Sequence, residues 1–138
     1  MTKNGIDVSE HQGVIDWGKV AKDGVQFAIL RAGYGRELSQ KDDYFDRNYA
    51  AAKKAGIPVG AYWYSYADSV ARAKEEAKTC LKVLEGKSLE LPVFFDQEYE
   101  KSILALSSKT RTDIVLAFLQ TVQAAGRSCG LYSSTDFI

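Results

Sequence analysis

Several things are scarce in this chain, and each scarcity closes off a class of function. There is no excess of charge: eighteen Lys and Arg balance eighteen Asp and Glu over 138 residues. Nucleic-acid affinity comes largely from neutralised phosphates, so a chain with zero net charge and no basic run is a poor candidate for that class. No apolar run reaches membrane-spanning length, and the opening MTKNGIDVSE lacks the apolar core of a secretion signal. No membrane partner is therefore expected, and any work outside the cell would need release by another agent. The two cysteines, Cys80 and Cys129, fall in a helix-like and a strand-like segment and read as free buried thiols without metal-ligand spacing. The lone histidine, His11, lies in a loop and reads as a solvated residue. Without it no Ser-His-Asp arrangement can be assembled, so serine-nucleophile hydrolysis is disfavoured. No G-x-G-x-x-G follows the first strand, and the glycine-rich RAGYGRE lacks the Lys-Ser/Thr ending of a phosphate loop. No cofactor is expected.

What is present is a globular composition rich in amphipathic rings. Hydrophobic residues make up 46 %, enough for one sizeable core, and the length suits one domain, residues 1–138. There are eight Tyr and two Trp. Such rings bury one face and keep a polar tip, which suits a sugar, although ordinary packing must use at least half of them.

Apolar runs alternate with amphipathic stretches along the chain. Strands are expected at Ile6-Asp7-Val8, VQFAILRAGYG, VGAYWYSY, PVFFD and SCGLYSS. Between them, Asp16 is expected to cap a short helix carrying Trp17, Val20 and Ala21. A helix over 43–55 presents Phe45, Tyr49 and Ala52, and Gly56 stops it. Asp68 is expected to cap a longer helix with Val70, Ala73, Ala77, Leu81 and Leu84 on one face. A last helix over 109–125 turns Val115, Phe118, Leu119 and Val122 inward. AGIPVGAY (55–62) and AGRSCGLY (125–132) share a frame in which a helix ends, turns and starts a strand bearing a tyrosine. Regular β/α alternation implies parallel strands with right-handed crossovers. With the dinucleotide fingerprint absent, a TIM-like (β/α) barrel is favoured over an open doubly wound sheet.

In such a barrel function gathers at the C-terminal strand ends. Those ends carry Asp7 and Ser9, Arg31 to Tyr34, Tyr62, Tyr64 and Ser65, Asp96 and Glu98, then Tyr132 and Ser134. The stretch PVFFDQEYE poses the sharpest question, because a buried strand there runs into two carboxylates spaced i, i+2. Strand alternation puts Asp96 and Glu98 on one face, where desolvation and mutual repulsion both cost energy. The strand could simply be emerging into solvent. The alternative is a catalytic pair of the kind glycoside hydrolysis uses, one carboxyl kept protonated to serve the leaving oxygen and one ionised to meet the developing positive charge.

GIDVSEHQGVIDW, FAILRAGYG, AGIPVGAYWYS and PVFFDQE, in this order and spacing, resemble glycoside hydrolase family 25, the lysozymes (N-acetylmuramidases) of phages, bacteria and fungi. The resemblance runs from residue 5 to about 134. It implies a barrel of five βα units followed by strands without full helices. It also implies hydrolysis of the β-1,4 bond between N-acetylmuramic acid and N-acetylglucosamine, so the expected partner is the peptidoglycan glycan strand. By the resemblance Glu98 is the general acid. Asp96 is its partner, as nucleophile or as the residue orienting the substrate's own N-acetyl group, and Asp7 is the cleft acid of the first strand. Tyr62 and Tyr64 fall where the family lines its sugar sites, and Arg31, Tyr34 and Tyr132 complete the candidate substrate-binding set. The action would be on the cell wall, reached by phage (holin-type) release or another export route. Two departures stand out. The family's Lys-x-Ser/Thr-Glu-Gly after strand two is here Arg31-Ala-Gly-Tyr-Gly. The chain also stops after strand five, where a barrel of this type needs roughly 200 residues.

That shortness keeps a second reading open, a catalytically impaired remnant that binds wall or serves only a structural role. A chitinase-like site is disfavoured, since D-x-x-D-x-D-x-E would need an acid two places before Asp96, where Phe94 stands after Pro92 and Val93. The five-strand reading also carries an expectation about assembly. Strands one and five would present open edges, and such edges associate. The chain is expected to pair through its open side, with a second copy or with a missing C-terminal piece of itself, as sedimentation or light scattering would show, and a monodisperse, fully lytic monomer would refute that expectation.

Overall fold

The structure, a computed structural model, describes residues 4–97, 103 and 105–132, with the backbone alone at Tyr132. Five strands form one parallel sheet in the order of the chain: β1 Gly5–Val8, β2 Phe27–Tyr34, β3 Val59–Ser65, β4 Val93–Gln97 and β5 Cys129–Tyr132. The connections carry α1 Trp17–Lys22, α2 Phe45–Lys54, α3 Val70–Val83 and α4 Ser108–Ala124. Because the order never reverses, every crossover lays its helix on the same side, unlike a doubly wound sheet, where a reversal puts helices on both faces.

Strand alternation then sorts the side chains. Toward the helices point Val8, Ala28, Leu30, Val59, Ala61, Trp63, Val93 and Phe95. They pack with Phe45, Ala52, Ala77, Cys80, Val83, Leu84, Ile114 and Phe118 into one buried core. Phe95 and Phe118 lie ring to ring, 4.5 Å between centroids, fixing α4 on β4. None of these four helices packs on the other face, and that is where the candidate site lies.

Most local signals act as expected. Asp16 caps α1, its carboxylate accepting the Lys19 N–H at 3.1 Å. The two related turns end α2 and α4 with Gly56 and Gly126 at φ +79° and +87°, a left-handed conformation in which a Cβ would clash with the backbone. Two expectations need correction. The cap of α3 is Ser69, not Asp68: the Ser69 hydroxyl accepts the Arg72 N–H at 3.2 Å, while Asp68 pairs with the Arg72 side chain at 3.4 Å. The buried face of α3 is turned by one position late in the helix, so Cys80 and Val83 enter the core, while Val70 is exposed and Leu81 only half-buried. The five-stranded parallel sheet is unclosed among the described residues, where β1 and β5 each pair with one neighbour, the open edges that the five-strand reading expects. Cys80 is buried and Cys129 half-buried, both as free thiols.

One acid sits inside the helix layer. Glu76 of α3 is 1 % exposed and accepts hydrogen bonds from the Ser65 hydroxyl (2.6 Å) and the Tyr66 N–H (2.9 Å). Burial pushes its pKa up from 4.5 to about 7, against the pull of those two bonds. The folded state therefore holds this proton longer than the unfolded chain does. The group's contribution to stability is greatest below pH 4.5 and falls as pH rises through 7, by roughly 3 kcal/mol at about 1.4 kcal/mol per unit. Glu76→Gln removes that slope. Urea unfolding of parent and variant from pH 5 to pH 8 should show the parent losing about 2–3 kcal/mol relative to Glu76→Gln, and parallel curves would refute the assignment.

Candidate active site

The helix-free face holds a cavity of about 760 Å³. Phe27, Ile29, Leu91 and Phe94 give it an apolar floor, and Asp7, His11, Arg31, Tyr62, Tyr64 and Asp96 bring its polar groups. These residues come from consecutive strands because alternation repeats in register: Asp7 pairs with Ile29, Arg31 with Tyr62, Tyr62 with Phe94, and Tyr64 with Asp96. Four sequence candidates on four strands thus converge with Tyr62. Asp96, 4 % exposed, lies between Tyr64 and Tyr132 in the sheet register. Asp7 enters the same cavity from β1, three strands from β4 in the sheet order. Glu98 lies outside the described residues, as does Ser134.

The electrostatics of the cavity register on Tyr62. Burial pushes its phenol up to about 12; the Arg31 cation pulls it down, while Asp7, Asp96 and Asp42 push it further up. At neutral pH Tyr62 is therefore a protonated hydroxyl able to donate to a sugar oxygen or to a carboxylate. Apolar walls, hydroxyl tips and buried negative charge suit a polar ring better than a phosphate.

The Arg31-Ala-Gly-Tyr-Gly stretch has a structural account. The register of β2 on β3 slips by one between Arg31 and Gly33, which brings Tyr34 level with Tyr64. This is the effect of a bulge, which re-aims the side chains beyond it. Gly33 is required because a Cβ there would stand 2.7 Å from the Trp63 ring. The Trp63 indole N–H then reaches the Gly35 carbonyl at 2.7 Å. Tyr34 stands beside Arg31, whose guanidinium carbon is 5.3 Å from its ring centre, and meets Tyr66 edge-on at 6.2 Å. Tyr66 and Tyr64 are 5.1 Å apart. Tyr34 thus belongs to a ridge beside the cavity rather than to its lining.

Three residues of this region escaped the sequence reading. His11, read there as solvated, lines the cavity. Tyr66 joins the ridge just past the end of β3. Asp42, 1 % exposed, accepts from Arg31 Nε (2.8 Å), Glu10 N–H (3.0 Å) and Tyr44 N–H (2.9 Å). The DD pair at 42–43 ahead of α2 was the available signal, since an acid there can turn the chain. Among the described residues no group of three or more His, Cys, Asp or Glu could hold a metal ion, and no helix is long and apolar enough to cross a membrane.

The family profile described as "Glycosyl hydrolases family 25" matches residues 6–138. An Escherichia coli O157:H7 protein, "Uncharacterized protein YegX", is 33 % identical over 99 % of this chain and 50 % of its own length. The "Autolytic lysozyme" of Clostridium acetobutylicum is 31 % identical over 96 % of this chain and 39 % of its own. Among solved structures, the modular autolysin LytC from Streptococcus pneumoniae, in complex with a synthetic peptidoglycan ligand, superposes with a TM-score of 0.83. It is 29 % identical, over 95 % of this chain and 32 % of that one. The chain spans about half the length of the first curated relatives it matches.

The Arg31 fork is the site's internal support. Besides Asp42 it reaches Glu10 at 2.9 Å, tying the loop after β1 to β2 and to the entry of α2. Removing one partner of a buried pair strands the other charge, at about 3–5 kcal/mol. Asp42→Ala should therefore lower unfolding stability by about that much, and Asp42→Asn, which keeps an acceptor, by less. A chemical-denaturation series measures both, and a loss under 1 kcal/mol for Asp42→Ala would show that the fork is not a support.

Proposed function

The chain belongs to glycosyl hydrolase family 25, and from that premise we propose that it is the glycan-cleaving part of a muramidase. The substrate is the peptidoglycan glycan strand, cut at the β-1,4 bond between N-acetylmuramic acid and N-acetylglucosamine. The observation that carries the reading is a buried carboxylate, Asp96, near the end of β4, inside a tyrosine-lined cavity on the face opposite the four described helices. Lysozyme relatives and the peptidoglycan-bound LytC structure support the same substrate class. The finer architecture is that of a (β/α) barrel, supported by the strictly sequential parallel order and the one-sided helix layer. Its site of action is the bacterial cell wall.

In this mechanism Glu98, next in alternation after Asp96, gives its proton to the glycosidic oxygen as the bond to the anomeric carbon breaks. Asp96 stays ionised and meets the positive charge that develops on the ring, by direct attack or by holding the substrate's N-acetyl oxygen against the anomeric carbon. Either route forms a bond on one face and lets water replace it from the other, so configuration is retained. Asp7 and Arg31 set the field around Tyr62, whose hydroxyl donates to the bound sugar. Tyr64 gives the ring an apolar wall, with Tyr34 behind it and Tyr132 on the far side of Asp96.

Glu98→Gln keeps shape but removes the proton, and Asp96→Asn removes the charge. Each should lower release of reducing ends from purified cell wall by about 10²–10⁴-fold with circular dichroism unchanged. Near-normal hydrolysis by a folded Glu98→Gln protein would overturn the assignment.

A further inference from the structure

The aromatic ridge beside the cavity ends on Tyr66, one residue beyond the last strand pairing of β3. The backbone at a strand end needs an anchor beyond the ladder. Here the anchor comes from the helix behind the sheet. Glu76 Oε2 accepts the Tyr66 backbone N–H at 2.9 Å, and Oε1 accepts the Ser65 hydroxyl at 2.6 Å. The same hydroxyl accepts the Ala67 N–H at 3.0 Å. Three consecutive residues therefore hang on one carboxylate that is 1 % exposed.

We propose that Glu76 is a positioning residue for glycan binding: its brace on residues 65–67 aims Tyr66 as an outer sugar platform at the end of the Tyr34–Tyr64–Tyr66 ridge. The proposal rests on the glycan-cleaving reading above and extends it to a residue on the opposite side of the sheet from the substrate.

Two features separate this role from plain packing. Burying a carboxylate is costly, and a helix seated on a sheet needs only apolar contact at such a position. Among the described residues no cation bonds Glu76. Arg36 pairs with Glu75 and Glu37, and Arg72 with Asp68, around the small recess that Glu76 lines. The acid's strong bonds go to the strand end instead. Tyr66, for its part, is 46 % exposed. Its ring is held by Tyr34 and Tyr64 yet leaves much of its surface open, as a ring that stacks on a ligand must. Tyr64 carries the same surface into the cavity, so a strand of several sugars could run from one tyrosine to the next.

The test uses a soluble oligosaccharide of alternating N-acetylglucosamine and N-acetylmuramic acid as the probe. Calorimetry gives its affinity, and native-state amide exchange reads the Tyr66 and Ala67 N–H groups without ligand. Glu76→Ala should speed exchange at both amides at least about tenfold and weaken binding by about tenfold. Tyr66→Ala should weaken binding by a similar factor, and the double variant should bind no more weakly than either single one, because both remove the same platform. Glu76→Gln should match the parent in both measurements, since its oxygen can accept from Tyr66 and its amide can donate to Ser65. Multiplying losses in the double variant, or parent-like affinity in a folded Glu76→Ala or in Tyr66→Ala, would overturn the proposal. If the parent binds no glycan, the functional reading fails on its own, and unchanged exchange at Tyr66 in Glu76→Ala would separately remove the brace.

Discussion

Much in this molecule follows from the fact that, among the described residues, the four helices cover one face of the sheet only. Parallel strands in chain order, joined by crossovers of one hand, send each helix to the same side. That side takes the small and branched residues of the strands, together with Trp63 and Phe95, and turns them into the core. The other side inherits every second residue of β1 to β4, so Asp7, Arg31, Tyr62, Tyr64 and Asp96 meet without being near one another in sequence. A one-residue slip in any strand would exchange core and cavity residues wholesale. The cavity chemistry and the core packing are thus specified by the same register.

Burying polar groups near such a face has to be offset, and the chain does it with two local braces. The Arg31 fork reaches Asp42 and Glu10 and closes the space between the loop after β1 and the start of α2. Glu76 holds the end of β3 from behind. In each case one side chain ties a strand end to an element outside the sheet. Both braces lie at the C-terminal ends of the strands, where the carboxylate and the tyrosines stand.

Much of this was legible beforehand, and the reasons are specific. The strands at Phe27–Tyr34, Val59–Ser65 and Val93–Gln97 are apolar runs between turn signals, and their alternation alone puts Arg31, Tyr62, Tyr64 and Asp96 on one face. Gly56 and Gly126 marked helix ends because few other residues adopt their backbone angles. Less was legible where neighbours compete. Asp68 and Ser69 are both good caps, and the choice fell to Ser69 because Asp68 is drawn to Arg72. Tyr34 gave no hint of its direction, because the slip beside Gly33 depends on Trp63 crossing from the next strand. His11 is exposed, as read, but a loop histidine carries no pattern that says which cavity the loop folds over.

The sequence by itself determined the parallel α/β class, the strand and helix order, and the carboxylate and tyrosines at the strand ends. Periodicity and turn chemistry are local, and local physics is readable one segment at a time. Only the tertiary structure decided that Asp42 and Glu10 hold the two sides of the Arg31 fork, and that Glu76 reaches from the helix layer to the strand that carries Tyr64. Those outcomes depend on side chains 11 to 32 residues apart in the chain meeting at hydrogen-bond distance, and no window of sequence contains that distance.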